Sequence, residues 1–220
     1  MAWNPYRTLF VISCAGLLAA TLPPAASAVD DTPILAAKAD FDQGLRGDDG
    51  AAVDRAAEQF GQLVAQAPAS PLLRAYYGSA LSLQARHAWA PWTKMKYAES
   101  GLDAVDKAIA LLQAGDESKV LAGMPVALVT RLVALSTYVA VPDMFHRLGD
   151  ARDLLEQARH SPSYRSAPPR LLAAYAWQAA LVARRDGRAE AEAGELRQVV
   201  AVADAPDAPR AAARLRELGR

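Results

Sequence analysis

The three histidines, His87, His146 and His160, lie far apart in the sequence. None is paired with another at the four-residue step that puts two imidazoles on one helix face, the commonest start of a zinc site. The single cysteine, Cys14, falls in the N-terminal apolar run, so a metal site would need Asp or Glu partners gathered by the fold, and no spacing suggests that. GxSxG, HExxH, a phosphate-cradling glycine loop and CxxC are all missing. The acidic pairs Asp30-Asp31 and Asp48-Asp49, and the series Glu190, Glu192, Glu195, stand near expected helix starts, where they answer the positive end of the macrodipole. The histidines are expected at helix ends on the surface. Neither catalysis, nor a metal, nor a cofactor is expected.

Recognition chemistry is concentrated instead in HAWAPWTKMKY, His87 to Tyr97. Trp89, Trp92 and Tyr97 stand there among Arg86, Lys94 and Lys96, with Pro91 stiffening the centre. Aromatic rings with cationic neighbours suit a peptide, a carboxylate-bearing ligand or a glycan. The expected arrangement is nevertheless that both indoles fold back to plug the groove or cover the edge of the helical stack, since large aromatics more often pack than project. A second candidate is VPDMFHR, Val141 to Arg147, where Met144 and Phe145 form either a small contact surface beside Arg147 or a helix-start staple, the staple being expected. Tyr76-Tyr77 and Tyr175-x-Trp177 suit either a binding face or a core, and the sequence does not assign each ring.

These residues must be positioned by helices. Alanine and leucine are abundant and β-branched runs scarce, so propensity favours helix almost everywhere. Thr32-Pro33 opens a first helix with Thr32 as cap and Ile34, Ala37, Phe41 and Leu45 on its apolar face; Gly47 to Gly50 ends it. A second runs from about Ala51 to Ala67 with Val53, Ala56, Phe60, Leu63 and Val64 inward. Ser70-Pro71 caps a third, and a fourth is expected from about Lys94 to Leu112. The fifth, from about Pro125 to Val139, is apolar nearly all round and so buried. Asp143 is the expected cap of the sixth, and SPSYRSAPP separates it from the seventh, RLLAAYAWQAALVARR. After Asp186-Gly187 a charged helix from Arg188 to Ala203 turns Ala189, Ala193, Leu196 and Val200 inward, and AAARLREL closes the chain.

The N-terminus reads as an export signal. Arg7, the apolar run Leu9 to Leu22, Pro23-Pro24 and Ala26-Ser27-Ala28 make a leader of residues 1–28 with cleavage near Ala28. A lipoprotein-type anchor at Cys14 is disfavoured because the apolar run continues past it, and a retained membrane span because the run is short for roughly 20 residues. The domain is then 29–220, periplasmic or secreted. Arg7 is the only charge in the leader, and 24 basic side chains stand against 24 acidic ones in the whole chain. So balanced a chain carries no whole-molecule field for nucleic acid or anionic lipid.

Gly44, Ala56, Phe60 and Pro68 stand twelve, four and eight residues apart, and Gly78 follows Gly44 by 34. That spacing resembles a tetratricopeptide (TPR) repeat. The first helix departs from the pattern, with Asp40 at the large aromatic position and Gly47 at the tyrosine position. In the next repeat the pattern resumes only at Gly101, Val105 and Ala108, about eleven residues late, which makes His87 to Tyr97 an expected insert. Gly187 opens a further TPR-like pair. AWAPWTKMKY followed by GLDAVDKAIAL is also similar to a group of uncharacterised exported proteobacterial TPR proteins. The resemblance implies an all-α fold, a TPR-like α–α superhelix of about four helix pairs plus a C-terminal capping helix, though irregular repeats also suit a compact bundle. It implies an adaptor for a protein or peptide partner in a helical groove, with a small-ligand or peptide receptor of an envelope transport system as the alternative. The receptor would carry a closed pocket beneath Trp89 and Trp92.

Overall fold

The computed structural model describes residues 31–220; the expected leader and Cys14 lie outside them. The described residues form nine helices: α1 (Thr32–Gly47), α2 (Gly50–Gln66), α3 (Pro71–His87), α4 (Pro91–Leu111), α5 (Val126–Ala140), α6 (Leu148–His160), α7 (Pro169–Arg185), α8 (Ala189–Val200) and α9 (Ala208–Glu217). The class is all-α and helical-repeat-like. Consecutive helices pair as α1–α2, α3–α4, α5–α6 and α7–α8; α1, α3, α5 and α7 also meet in sequence, and each second helix packs on the first helix of the next pair. The closing helix α9 packs on α8.

Local chemistry sets most of these boundaries. Asp49 caps α2 by accepting from the Ala52 amide at 3.1 Å, and Ser70 caps α3 through the Leu73 amide at 3.4 Å. Prolines occupy the first turns of α1, α3, α4, α7 and α9, where a missing N–H costs nothing. Between α1 and α2 the chain reverses through Asp48 in the left-handed region, a conformation that aspartate tolerates better than most residues. Three apolar clusters fill the interior. In the first pairs, Phe60 stacks on Tyr76 at 4.9 Å and Phe41 meets the same ring edge-on at 5.3 Å. The middle cluster gathers Leu128, Leu135, Tyr138, Leu154 and Tyr175 around α5, and a smaller one joins α7, α8 and α9 through Leu196, Val199 and Ala211.

Several expectations are corrected. Thr32 is the first residue of α1, not its cap; Leu45 is exposed, because Gly44 takes the contact with α2. A Cβ on Gly44 would stand 2.5 Å from Val53 Cγ2. On α8 the inward residue is Val199, with Val200 and Ala189 exposed. Asp143 opens a short 3₁₀ turn, His146 follows in the left-handed region, and α6 begins only at Leu148. Ahead of α5, two short strands, β1 (Val120–Leu121) and β2 (Met124–Pro125), pair antiparallel. Their turn, Ala122-Gly123, has both φ values positive, the geometry a two-residue hairpin requires. The sequence reading placed no element between Leu112 and Pro125 and so missed it.

The largest correction concerns the expected insert. The fourth helix begins at Pro91, so only Ala88 to Ala90 lie between α3 and α4, and Trp92 to Tyr97 are helical. What looked like inserted chain is extra helix. The two backbones cross at Gly78 and Gly101, well inside both helices, where a Cβ on either glycine would stand 2.6 Å from the carbonyl oxygen of the other. The small residue expected twelve positions after Gly78 is thus replaced by one 23 positions on.

Candidate functional site

The hairpin tip brings together most of the aromatic and cationic residues singled out above. Trp89, in the turn, is 91% exposed and Trp92, in the first turn of α4, is 73% exposed. The expected packed arrangement therefore does not hold: both rings project. Ala88 to Trp92 carries no charge, and Arg86 precedes it on α3 while Lys94 and Lys96 follow it on α4. All three cations are exposed, and none makes an ion pair among the described residues. Tyr97 is the exception, half-buried and further down the helix.

Burial is uneven at the start of α4. Lys94 lies seven residues before Gly101, on the same stripe as the buried Ala98, Gly101 and Val105. Ala90, four residues before Lys94 on that stripe, is buried, whereas Lys94 itself is exposed with its ammonium in solvent. The helix also starts on Ala90, whose side chain offers no cap, in contrast to Asp49 and Ser70 on α2 and α3. Charge is distributed unevenly as well. From Gln59 through Ala98 the chain has no Asp or Glu, yet contains Arg74, Arg86, Lys94 and Lys96. Acids of the first pair reach only the α3 flank: Asp48 lies 3.7 Å from His87, and Asp54 accepts from Gln84 at 2.7 Å.

A different arrangement occupies the other end of the chain. Between α7, α8 and α9 runs a cleft of about 260 Å³ with Trp177, Ala180, Leu181, Leu196 and Ala213 on its apolar walls. Arg184 and Arg210 stand at it; Arg184 has no ion pair among the described residues, and Arg210 meets only Asp207, just before its own helix, at 3.4 Å. The third arginine, Arg214, is committed, its Nε donating to the buried Glu192 at 2.7 Å and its Nη1 to Glu217 at 2.9 Å. The two aromatics of Tyr175-x-Trp177 thus part company: Tyr175 is fully buried and donates to the Leu128 carbonyl at 2.7 Å, while Trp177 lines the cleft. Trp177, Leu181 and Arg184 stand four and three residues apart, a helical stripe that could have been found in the sequence.

The other expected features are structural. Met144 is exposed, Phe145 packs on the middle core, and Arg147 bridges Asp106 and Asp150 while lying 5.1 Å from the Tyr138 ring centre. Arg147 also lines a second cleft of about 260 Å³, with Pro142, His146, Arg152 and Arg185. Each guanidinium there has a carboxylate partner: Asp106 and Asp150, Asp186, and Asp143 respectively. His160 contacts the Glu156 carbonyl at 2.9 Å, and among the described residues no group of three His, Asp or Glu side chains is placed to hold a metal. Glu190, Glu192 and Glu195 do more than answer a macrodipole, since they bind Arg220, Arg214 and Arg159 respectively. Of the repeat positions, Ala56, Phe60 and Ala108 are fully buried, Pro68 is exposed between α2 and α3, and Gly187 takes the positive φ that ends α7. No described helix is long and apolar enough to cross a membrane.

Comparison with protein-family models, with curated proteins and with solved structures gives no match.

Proposed function

We propose that this chain is an exported, TPR-like adaptor that holds a protein or peptide partner in a helical groove without catalysis. The observation that carries the reading is the cleft between α7, α8 and α9, an apolar trough with Arg184 and Arg210 beside it, neither held by an acid of another helix. A guanidinium free to pair is a specific donor to a carboxylate, and an apolar wall beside it suits the neighbouring side chain of the same peptide. The TPR-like spacing of Gly44, Ala56 and Phe60 and the export-type leader support the compartment and the scaffold. The receptor reading asked for a closed pocket beneath Trp89 and Trp92; both rings are exposed and neither lines either cleft described above. The α7–α9 cleft itself is also smaller than the roughly 300–1,000 Å³ usual for a small-molecule pocket.

Panning a random peptide library against the purified protein tests this. Enriched peptides are expected to place an apolar residue next to Asp, Glu or a free C-terminus. Arg184→Glu with Arg210→Glu should weaken those peptides at least tenfold, because a hydrogen bond to a charged group contributes about 1.5–3 kcal/mol. Both arginines are exposed, so melting should be unchanged. A library that yields no consensus, or peptides indifferent to the charge reversal, would sink the reading.

A further inference from the structure

We infer that the α3–α4 tip docks the protein on an anionic lipid surface, with Trp89 and Trp92 entering the interface and Arg86, Lys94 and Lys96 meeting the headgroup phosphates. The tip is ordered as such a contact requires. Its leading run, Ala88 to Trp92, is uncharged and carries both indoles, and the cations follow within about one helical turn, roughly 5 Å, on both helices. Indole is the side chain most at home at the boundary between headgroups and acyl chains, and lysine or arginine beside it is drawn to anionic headgroups. The rings are 91% and 73% exposed, so the tip is a wedge. A wedge needs a partner that yields, as a bilayer does, whereas a protein would have to supply a matching hollow.

Charge points the same way. The acid-free stretch from Gln59 through Ala98 leaves no carboxylate on α3 or the first two turns of α4 to repel anionic headgroups, and among the described residues none of the three tip cations is neutralised by an ion pair. On the α3 flank Asp54 accepts from Gln84, and Asp48 lies 3.7 Å from His87. The balanced total charge of the chain conceals this surface, because the compensating acids lie elsewhere. Docking at the tip leaves the α7–α9 cleft out of the contact residues, and the inference stands or falls independently of what that cleft binds.

Flotation of the full chain on vesicles decides the matter. Phosphatidylcholine vesicles register whatever the N-terminal apolar run contributes, and vesicles with added phosphatidylglycerol register the anionic term. The wild type is expected to partition at least tenfold more strongly onto the anionic vesicles, and 0.5 M salt should remove the excess. Trp89→Ala/Trp92→Ala should abolish most of the excess. Arg86→Gln/Lys94→Gln/Lys96→Gln should lower it about fivefold per cation, on the usual contribution of one surface lysine or arginine. The glutamine set replaces only exposed, unpaired side chains, so it decides the question even if the tryptophan pair affects folding, which circular dichroism would report. Equal partition of the wild type onto both vesicle types overturns the inference, as does full anionic preference in the glutamine variant. A protein that ignores vesicles but changes its indole emission on adding polyglutamate also overturns it, and assigns the tip to an acidic protein segment.

Discussion

At the α3–α4 tip two indoles project and three cations stand without a counter-ion among the described residues; from α6 to α9 the indole lies along a cleft and many of the arginines are tied down. Arg214 is held by Glu192 and Glu217, Arg159 by Glu195, Arg152 and Arg188 by Asp186, and Arg220 by Glu190. Similar side chains therefore do different work. Where acids are interleaved with arginines on neighbouring helices, the charges join one helix to the next and so belong to the fold. Where the chain omits acids from Gln59 through Ala98, Arg86, Lys94 and Lys96 have no ion pair among the described residues and remain available to something outside the molecule. The even count of 24 and 24 is the sum of these unlike regions.

The largest effect expected from breaking the contrast is at Glu192. Its carboxylate is buried on α8 and takes two hydrogen bonds from Arg214 of α9, at 2.7 and 3.3 Å. Glu192→Ala leaves Arg214 with Glu217 alone and opens the joint between the closing helix and the last pair. Removing one partner of a fully buried pair costs about 3–5 kcal/mol, but the Arg214 side chain is 24% exposed, so about 2 kcal/mol is expected. Thermal denaturation should then show a fall of roughly 4–8 °C. A fall below about 1 °C would mean that the ion pairs at this end are as dispensable as surface pairs elsewhere, and the contrast between the regions would weaken.

How far the sequence reveals these regions depends on whether the signal is local. The start of α3 was legible where Ser70-Pro71 sets it, but α4, expected from about Lys94, begins at Pro91. The buried character of α5 followed from its composition. The crossing of α3 on α4 was half legible. Gly101, Val105 and Ala108 resumed the expected pattern, but helical hairpins of different length share one periodicity, so the eleven-residue delay read as an insert when all of it but Ala88 to Ala90 is helix. The exposure of Trp89 and Trp92 was not legible, because periodicity does not tell which way the rings at a helix–helix turn point. The α7–α9 cleft was legible only on its α7 side, through Trp177, Leu181 and Arg184; Arg210 joins it across the turn between α8 and α9, which no periodicity foretells.

A smaller effect is expected in acid. Hydrogen bonds from Arg152 and Arg188 hold the Asp186 carboxyl at about 2, below its usual range near 3.9. Because the folded value is the lower one, Asp186 contributes stability that is fully present above about pH 4 and is lost as pH falls towards 2. Asp186→Asn should therefore lower the melting temperature at pH 7 and flatten part of the loss between pH 4 and pH 2, measured by melting at stepped pH. An unchanged acid limb in the variant would place the titrating groups elsewhere, for instance at Glu117, which Ser161, Arg131 and Ser163 hold low against its burial.

The smallest effect on stability is expected where the effect on lipid binding is greatest. Trp89→Ala/Trp92→Ala removes two of the largest side chains in the protein, and in a core such a change would cost about 3–5 kcal/mol for each. Here the rings already face water in the folded state, so little apolar area returns to solvent when they are cut away. Trp92 lies in the first turn of α4, where alanine is the better helix former, which offsets what contact its ring does make. The double variant should melt within about 1 °C of the wild type, in line with surface substitutions that change stability by less than about 0.5 kcal/mol. A drop of 5 °C or more would show that the indoles pack in solution, and a packed indole is not a wedge. Unchanged melting together with lost vesicle binding would separate the two properties on one pair of residues, which neither a structural role nor general stickiness of the chain can produce.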